Sequence, residues 1–294
     1  MALVIVAVVL VMAVLLLNRL LGKLYTNPVR KNRTTPADIG LEFRETRIPT
    51  ENDRQLYGWW IPAREASSVT LVLVHGWGQN SEKMLPFVKE LHPRGYNLVT
   101  FDGRSHGQSD HDGYSTMLKF ARDISATIDF VQQTYPERSK TVGVIGFSIG
   151  GAATIYAAVH DTRIALAVSV GAFAHPLDVM RMELEKKHVP YIPFVWLLFR
   201  YVELRVGFRF DSIAPVRNIP RLRTPLMLIH GEKDPVVPIT QARKILAAAP
   251  NGLVESWFVP GKGHFDAITH PEFWPRVLEF LQRKLKQNAS TAEK

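Results

Sequence analysis

The hexapeptide G-F-S-I-G-G, Gly146–Gly151, decides how this chain is read. The run T-V-G-V-I-G-F at Thr141–Phe147 leads into it and has the apolar, β-branched character of a buried strand. Residues Gly150–His160 leave it with the composition of a helix. A serine held between such a strand and such a helix, with glycine two residues before and two after, is the G-x-S-x-G turn. The chain reverses there so tightly that the serine takes a strained backbone conformation, and small neighbours keep the turn from clashing. By pattern alone the match arises by chance in about one chain in twenty. Its placement between strand and helix makes it specific.

A serine hydroxyl is a weak nucleophile without a base, and the base needs an acid to orient it. For this turn the expected chain order is Ser, then Asp or Glu, then His. H-G-E-K-D-P-V-V-P follows the apolar strand Leu226–Ile229 and offers Asp234, with Glu232 as the alternative acid. P-G-K-G-H-F follows a strand ending at Val259 and offers His264. Asp266 lies too close to His264 along the chain to orient it. Both candidates sit just past strand C-termini, where ligands bind in open α/β sheets. H-G-W-G at His75–Gly78 follows the buried strand Val69–Val74 and supplies the remaining part, an oxyanion hole built from the backbone N–H groups of Trp77 and Ile149. Each such donor is worth about 3 kcal/mol to a transition state. His75 is expected to brace its loop. Asp102, Arg104 and His106 are expected to tie down the loop after the strand Asn97–Phe101.

Around these motifs strands and helices alternate. Strands are expected at Leu41–Ile48 and Gln55–Ile61, as an antiparallel pair, and then at Val69–Val74, Asn97–Phe101, Thr141–Phe147, Ala165–Val170, Leu226–Ile229 and Glu255–Val259. Helices are expected at Ser81–His92, Met117–Tyr135, Gly150–His160, Ile239–Ala249 and Glu272–Lys286. This is the pattern of an α/β fold with a mostly parallel sheet and helices on both faces. Between Gly171 and Thr224 the alternation stops, and a structureless loop of that length is improbable. The segment is read as a helical cap inserted above the sheet. The chain divides into residues 1–25, a membrane anchor; 26–40, a linker; 41–172 and 211–288, the core; 173–210, the cap; and 289–294, a disordered tail.

The anchor rests on Ala2–Leu17, an unbroken apolar run that Leu20, Leu21 and Leu24 extend past Asn18 and Arg19. At 1.5 Å per residue the run alone spans about 24 Å against a hydrocarbon core of about 30 Å. The turns to Tyr25 close the gap if Arg19 snorkels to the interface. A cleaved signal peptide would need a basic start and small residues at the cleavage site, and neither is present. Arg19, Lys23, Arg30, Lys31 and Arg33 follow the run with no acidic residue before Asp38, which places the body on the cytoplasmic side of a single span. That cluster is assigned to anionic lipid, so no nucleic-acid partner is expected.

Composition agrees. The 294 residues include 36 Lys+Arg and 27 Asp+Glu, a net charge of +9, with 46% hydrophobic and 21% charged residues. Disordered and fibrous chains are excluded. The absence of cysteine removes disulfide frameworks, cysteine-ligated metals and thiol nucleophiles together.

From Leu41 to Lys286 the chain resembles the α/β-hydrolase family. F-D-G-R-S-H-G-Q-S at Phe101–Ser109 resembles the D-x-R-G-x-G-x-S loop of its serine-aminopeptidase-like and monoacylglycerol-lipase-like members, with Ser105 where glycine is usual. The anchor-plus-hydrolase layout is similar to membrane-tethered Bem46-like members, which act on acyl esters. The resemblance implies an α/β-hydrolase-type sheet and a serine hydrolase acting through Ser148, His264 and Asp234, with no cofactor and no metal. The expected partners are a small-molecule or lipid-like acyl substrate and, through residues 1–25, membrane lipids. A peptidase or thioesterase with the same triad, or a non-catalytic binding protein, are the alternatives. Haloalkane and epoxide hydrolases of this fold carry Asp at the turn, so Ser148 argues against both. The cap run Tyr191–Tyr201 reads either as one buried helix face or as an apolar lid that binds an acyl chain or touches a bilayer.

Overall fold

A computed structural model describes residues 1–25, 30–185, 188, 192 and 195–292. Eight strands form one sheet in the order β1-β2-β4-β3-β5-β6-β7-β8. β1 (Arg44–Thr50) and β2 (Arg54–Ile61) make the expected antiparallel pair, and β2 joins β4 (Asn97–Phe101), also antiparallel. β3 (Val69–Val74), β4, β5 (Thr141–Phe147), β6 (Ile164–Val170), β7 (Leu226–Gly231) and β8 (Val254–Val259) run parallel. The strand boundaries expected from sequence hold to within three residues.

A 24-residue helix α1 (Ala2–Tyr25) leads the chain, with α2 (Leu85–Leu91) and α3 (Met117–Thr134) next. The helix expected at Ser81–His92 begins as a 3-10 turn over Ser81–Met84 and becomes α2 only at Leu85, with Pro86 in its first turn, where a missing N–H costs nothing. α4 (Ile149–His160) leaves the Ser148 turn. Alternation along each strand sends side chains to two cores. Val72 and Val74 of β3 meet Ile124 and Ile128 of α3 and Ala152 and Ile155 of α4, while Leu71 and Leu73 face the opposite layer with Val88 and Leu91 of α2. A strand covered on both faces needs no polar side, which is why these strands read as continuous apolar runs.

The interruption between β6 and β7 holds its own helices: α5 (Pro176–Glu185), α6 (Trp196–Val206), α7 (Phe210–Ile213) and α8 (Pro215–Asn218). Tyr191, Pro193 and Phe194 of the expected cap run lie outside the described residues. After β7 come α9 (Ile239–Ala248) and α10 (Phe273–Ala292). One expectation needs correction. Residues 289–292, expected as a disordered tail, continue α10, because no Pro or Gly follows Lys286 to stop it; 293–294 lie outside the described residues. The apolar N-terminal run does form a helix, but among the described residues no helix is long and apolar enough to cross a membrane, and several side chains of α1 lie outside them. The expected linker 26–40 contains a 3-10 turn at Pro36–Ile39, and 26–29 fall outside the described residues.

The two glycines flanking the Ser148 turn are fixed by close packing. A Cβ on Gly146 would meet the Gly150 carbonyl oxygen at 2.2 Å and Thr154 Oγ1 at 2.3 Å. A Cβ on Gly150 would meet the carbonyl oxygens of His75 at 2.5 Å and Val74 at 2.6 Å, so α4 would have to leave β3. Gly150→Ala is expected to destabilise the fold by about 1–3 kcal/mol, the usual cost of overpacking. Thermal unfolding of the variant beside an exposed control such as Lys140→Ala checks it; equal melting temperatures would refute the close approach.

Candidate active site

Ser148 caps α4 with φ 57° and ψ −121°, a conformation that L residues rarely adopt. It costs of order 1–3 kcal/mol and persists because the flanking strand and helix over-determine it. The Ser148 amide donates to the Val170 carbonyl at 2.8 Å and its carbonyl accepts from Ala152 at 3.0 Å, so both sides of the turn are anchored.

The three candidate side chains meet. Ser148 Oγ lies 2.9 Å from His264 Nε2, and His264 Nδ1 lies 2.6 Å from Asp234 Oδ2. With Asp234 ionised, Nδ1–H donates to the carboxylate, and Nε2 is left to accept the Ser148 hydroxyl proton. The other carboxylate oxygen, Oδ1, accepts from the amides of Val236 at 2.9 Å and Val237 at 2.8 Å. These bonds orient the carboxylate, and the side chains of Asp234 and His264 are almost fully buried. Glu232 is exposed, and Asp266 accepts instead from the Gly263 amide at 2.6 Å.

Two loops have to cross for this to happen. A Cβ on Gly231 would meet the carbonyl oxygens of Gly263 at 2.4 Å and Lys262 at 2.5 Å, and Lys233 donates its amide to Lys262 at 2.8 Å. Glycine at 231 therefore lets the acid loop touch the histidine loop.

Sequence reading missed three contributors. Gly171, with φ 67°, leaves room for the imidazole, since its Cβ would stand 3.2 Å from His264 Cε1. Phe147 packs its ring 5.0 Å from that of His264. His230 sits behind Asp234: its Nε2 donates to the Val237 carbonyl at 2.7 Å and stands 3.4 Å from Asp234 Oδ2. Burial holds the His230 pKa below the usual histidine value, so it is neutral there. The signal for His230 was the H-G-E-K-D string, which places a histidine one turn before the acid. Nothing local marks Gly171 or Phe147.

The loops expected to brace the site do so. His75 Nδ1 donates to the Gly76 carbonyl at 2.7 Å, and its Nε2 accepts from the Gly103 amide at 2.9 Å. His106 Nδ1 donates to the Arg104 carbonyl at 3.2 Å, and its Nε2 accepts from the Gly78 amide at 3.1 Å. Asp102 receives the amides of Ser81 at 2.7 Å and Gln108 at 2.8 Å. Arg104 is fully buried and pairs with Asp123 at 2.7 Å, Asp112 at 3.1 Å and Glu51 at 3.1 Å. Ser105, standing where the resemblance expects glycine, has φ 63°; its hydroxyl accepts from the Asp112 amide at 2.9 Å and donates to the Gly113 carbonyl at 3.1 Å. The unfavourable φ is offset by two local hydrogen bonds.

The amides on either side of Trp77 are committed, Gly76 to Gln79 Oε1 and Gly78 to His106. Trp77 and Ile149 line the same cavity as Ser148, a space of about 320 Å³ roofed by the cap. Ile149 opens α4, where the first amides have no carbonyl of their own helix to bond. Val179 and Met180 of α5, Val202 and Val206 of α6 and Phe210 of α7 make the walls apolar. Among the described residues no group of His, Asp and Glu is arranged to hold a metal ion.

Burial, with His75 alongside, pushes His106 down to about 3, and burial alone pushes His75 down to about 4. An unfolded histidine titrates near 6.5, so between pH 6.5 and 3 the unfolded chain binds a proton that His106 refuses. Stability therefore falls as pH falls through that window. Asp123, raised to about 6 by burial, acts in the opposite sense. Melting temperatures of the parent chain and His106→Gln are expected to converge as pH is lowered from 7 to 4, because the variant lacks the protonation penalty and Asp123 is common to both. Parallel curves would refute the assignment.

Comparisons with known proteins follow this geometry. The sequence profile of the alpha/beta hydrolase family matches residues 71–274. The chain is 26% identical over 239 residues to the uncharacterized protein YfhR of Salmonella typhi, covering 80% of this chain and 77% of YfhR. It is 22% identical over 270 residues to the uncharacterized membrane protein YNL320W of Saccharomyces cerevisiae, covering 91% and 89%. Among solved structures it is similar to the esterase Pf2001 of Pyrococcus furiosus, with 28% identity, a TM-score of 0.71, and 88% of this chain and 98% of that chain covered. By fold, by motif order and by these matches, the chain belongs to the alpha/beta hydrolase family.

Proposed function

We propose that the protein is a membrane-anchored serine hydrolase that cleaves an ester-type acyl bond. The observation that carries this reading is the hydrogen-bonded path Asp234–His264–Ser148, 2.6 and 2.9 Å long, ending in an apolar cavity. Ser148 attacks the acyl carbonyl while His264 Nε2 takes its proton, and Asp234 holds the Nδ1–H tautomer and stabilises the imidazolium. The backbone amides of Trp77 and Ile149 receive the oxyanion. His264 then protonates the leaving alcohol, and water releases the acyl group from Ser148 by the same steps reversed.

The cavity favours an acyl chain. Its walls are mainly Val, Met, Ile and Phe, with Tyr114, Ser115, Thr116, Glu183 and Arg205 as the polar lining, so most of the surface offers a peptide backbone no hydrogen bond and a peptidase is the weaker alternative. The likeness to the esterase Pf2001 points the same way. The anchor is proposed from the uninterrupted apolar run Ala2–Leu17, from the exposure of its described side chains on α1, and from the basic flank that sets the body on the cytoplasmic side. The yeast relative's name, a membrane protein, agrees with it.

A fluorophosphonate probe is expected to label the parent chain and not Ser148→Ala; equal labelling of both, or none of either, would overturn the catalytic assignment. Asp234→Asn is expected to lower kcat on p-nitrophenyl esters by about 10⁴-fold through the wrong histidine tautomer, with KM little changed. For topology, protease added outside intact cells should leave the body whole, and its digestion there would reverse the proposed orientation.

A further inference from the structure

Helix α6 is apolar on two opposite faces. One face is accounted for: Val195, just before the helix, and Phe199 are buried, and Val202 and Val206 line the cavity beside Ser148. The other turns outward. Trp196 is 50% exposed, Leu197 53% and Leu204 79%, and at helical spacing they share one face with Arg200. Ile192, just ahead of the helix, is 77% exposed. A helix above a solvated surface carries polar residues there. Clustered large apolar side chains mark a surface meant to be covered.

What covers it is indicated by Tyr201. This side chain donates its hydroxyl to Asn18 Oδ1 at 2.6 Å, tying α6 to α1 at the residue that immediately follows the apolar run Ala2–Leu17. Apolar side chains of α1 from Val4 to Leu16 are themselves exposed. The outer face of α6 thus lies beside the point where the apolar helix gives way to Asn18 and Arg19. Arg19, next to Asn18 on α1, and Arg200, next to Tyr201 on α6, are both exposed at this junction, with Arg200 also paired to Glu203 at 2.8 Å. Apolar side chains fringed by arginine match the interfacial layer of a bilayer containing anionic headgroups.

We infer that the outer face of α6, with Ile192, Trp196, Leu197 and Leu204, seats in that layer. The helix then forms a partition one helix thick between the leaflet and the catalytic cavity, and a lipid-borne acyl ester reaches Ser148 around it without crossing bulk water. The inference rests on the proposed anchor for its geometry, and the experiment separates the two.

Because the chain has no cysteine, single cysteines can be placed cleanly at Val8, Leu197, Leu204 and, as a control, Glu137, which lies before β5 at the end of the sheet opposite Ser148. Each full-length variant carries a nitroxide label in vesicles of phosphatidylcholine and phosphatidylglycerol. The labels at 197 and 204 are expected to be relaxed by oxygen and shielded from a water-soluble nickel chelate, with the reverse at 137. Water-exposed labels at 197 and 204 beside a lipid-buried label at 8 would overturn the docking and leave the anchor standing. Lipid burial at 197 and 204 with a water-exposed label at 8 would support the docking and reject the anchor. Shielding at 197 and 204 that persists in dilute detergent and depends on protein concentration would assign the face to a second copy of the chain and overturn the inference.

A functional arm uses the double variant Leu197→Glu/Leu204→Glu, neither residue lining the cavity. Hydrolysis of a long-chain ester presented in vesicles is expected to fall at least about tenfold, with p-nitrophenyl acetate in water hydrolysed at about the parent rate. Equal loss on both substrates, or no loss on either, would overturn the route.

Discussion

Everything at this site depends on one backbone torsion. Ser148 is held at positive φ at the end of the central strand β5, and that conformation lifts its hydroxyl clear of the sheet. That conformation is made without a side-chain cap hydrogen bond. It is kept by backbone hydrogen bonds to β6 and α4 and by two absent Cβ atoms, at Gly146 and Gly150, that let the helix lie against β3 and β5. The loops carrying Asp234 and His264 then converge on a fixed point. The same logic recurs at Gly231, where a missing Cβ lets one loop touch the other, and at Gly171, which clears the imidazole.

A second layer keeps this arrangement rigid. His75 and His106 act as neutral spacers whose two ring nitrogens join loop segments, one as donor and one as acceptor. Burial keeps both uncharged. Arg104 does the complementary task with a permanent charge, gathering three carboxylates under the loop that carries Ser105. The loops around Ser148 are thus supported by titratable groups that lie outside the hydrogen-bonded path Asp234–His264–Ser148.

Much of this was legible in the sequence because each candidate sits directly after a strand, where chain direction and position along the sheet are set by hydrophobic pattern. That is why Ser148, Asp234 and His264 could be named before the fold was known, and why Asp234 could be preferred to Glu232. What was not legible depends on distant packing. Phe147 and Gly171 touch His264 only because β5 and β6 are neighbours. The length of α10 was underread, since Asn288–Ala292 has no strong helical periodicity yet continues a helix already nucleated. The cap was legible as an interruption but not as an arrangement, because its helices are apolar on more than one side and sequence alone does not say which side is covered. The N-terminal run fixes composition and helix formation; crossing a membrane is a further property that the described residues do not display.

Ser148, Asp234 and His264 follow different strands of the sheet. Ser148 follows β5, bonded to a strand on either side, whereas His264 follows β8, an edge strand that pairs in the sheet with β7 and is only partly covered. Margins open before middles do, since they have fewer hydrogen bonds and less buried surface to lose. His264 is therefore mounted at one of the two margins of the sheet, the other being β1. Local loosening at that border would part His264 from Ser148 while the interior, and most of the molecule's secondary structure, stayed intact.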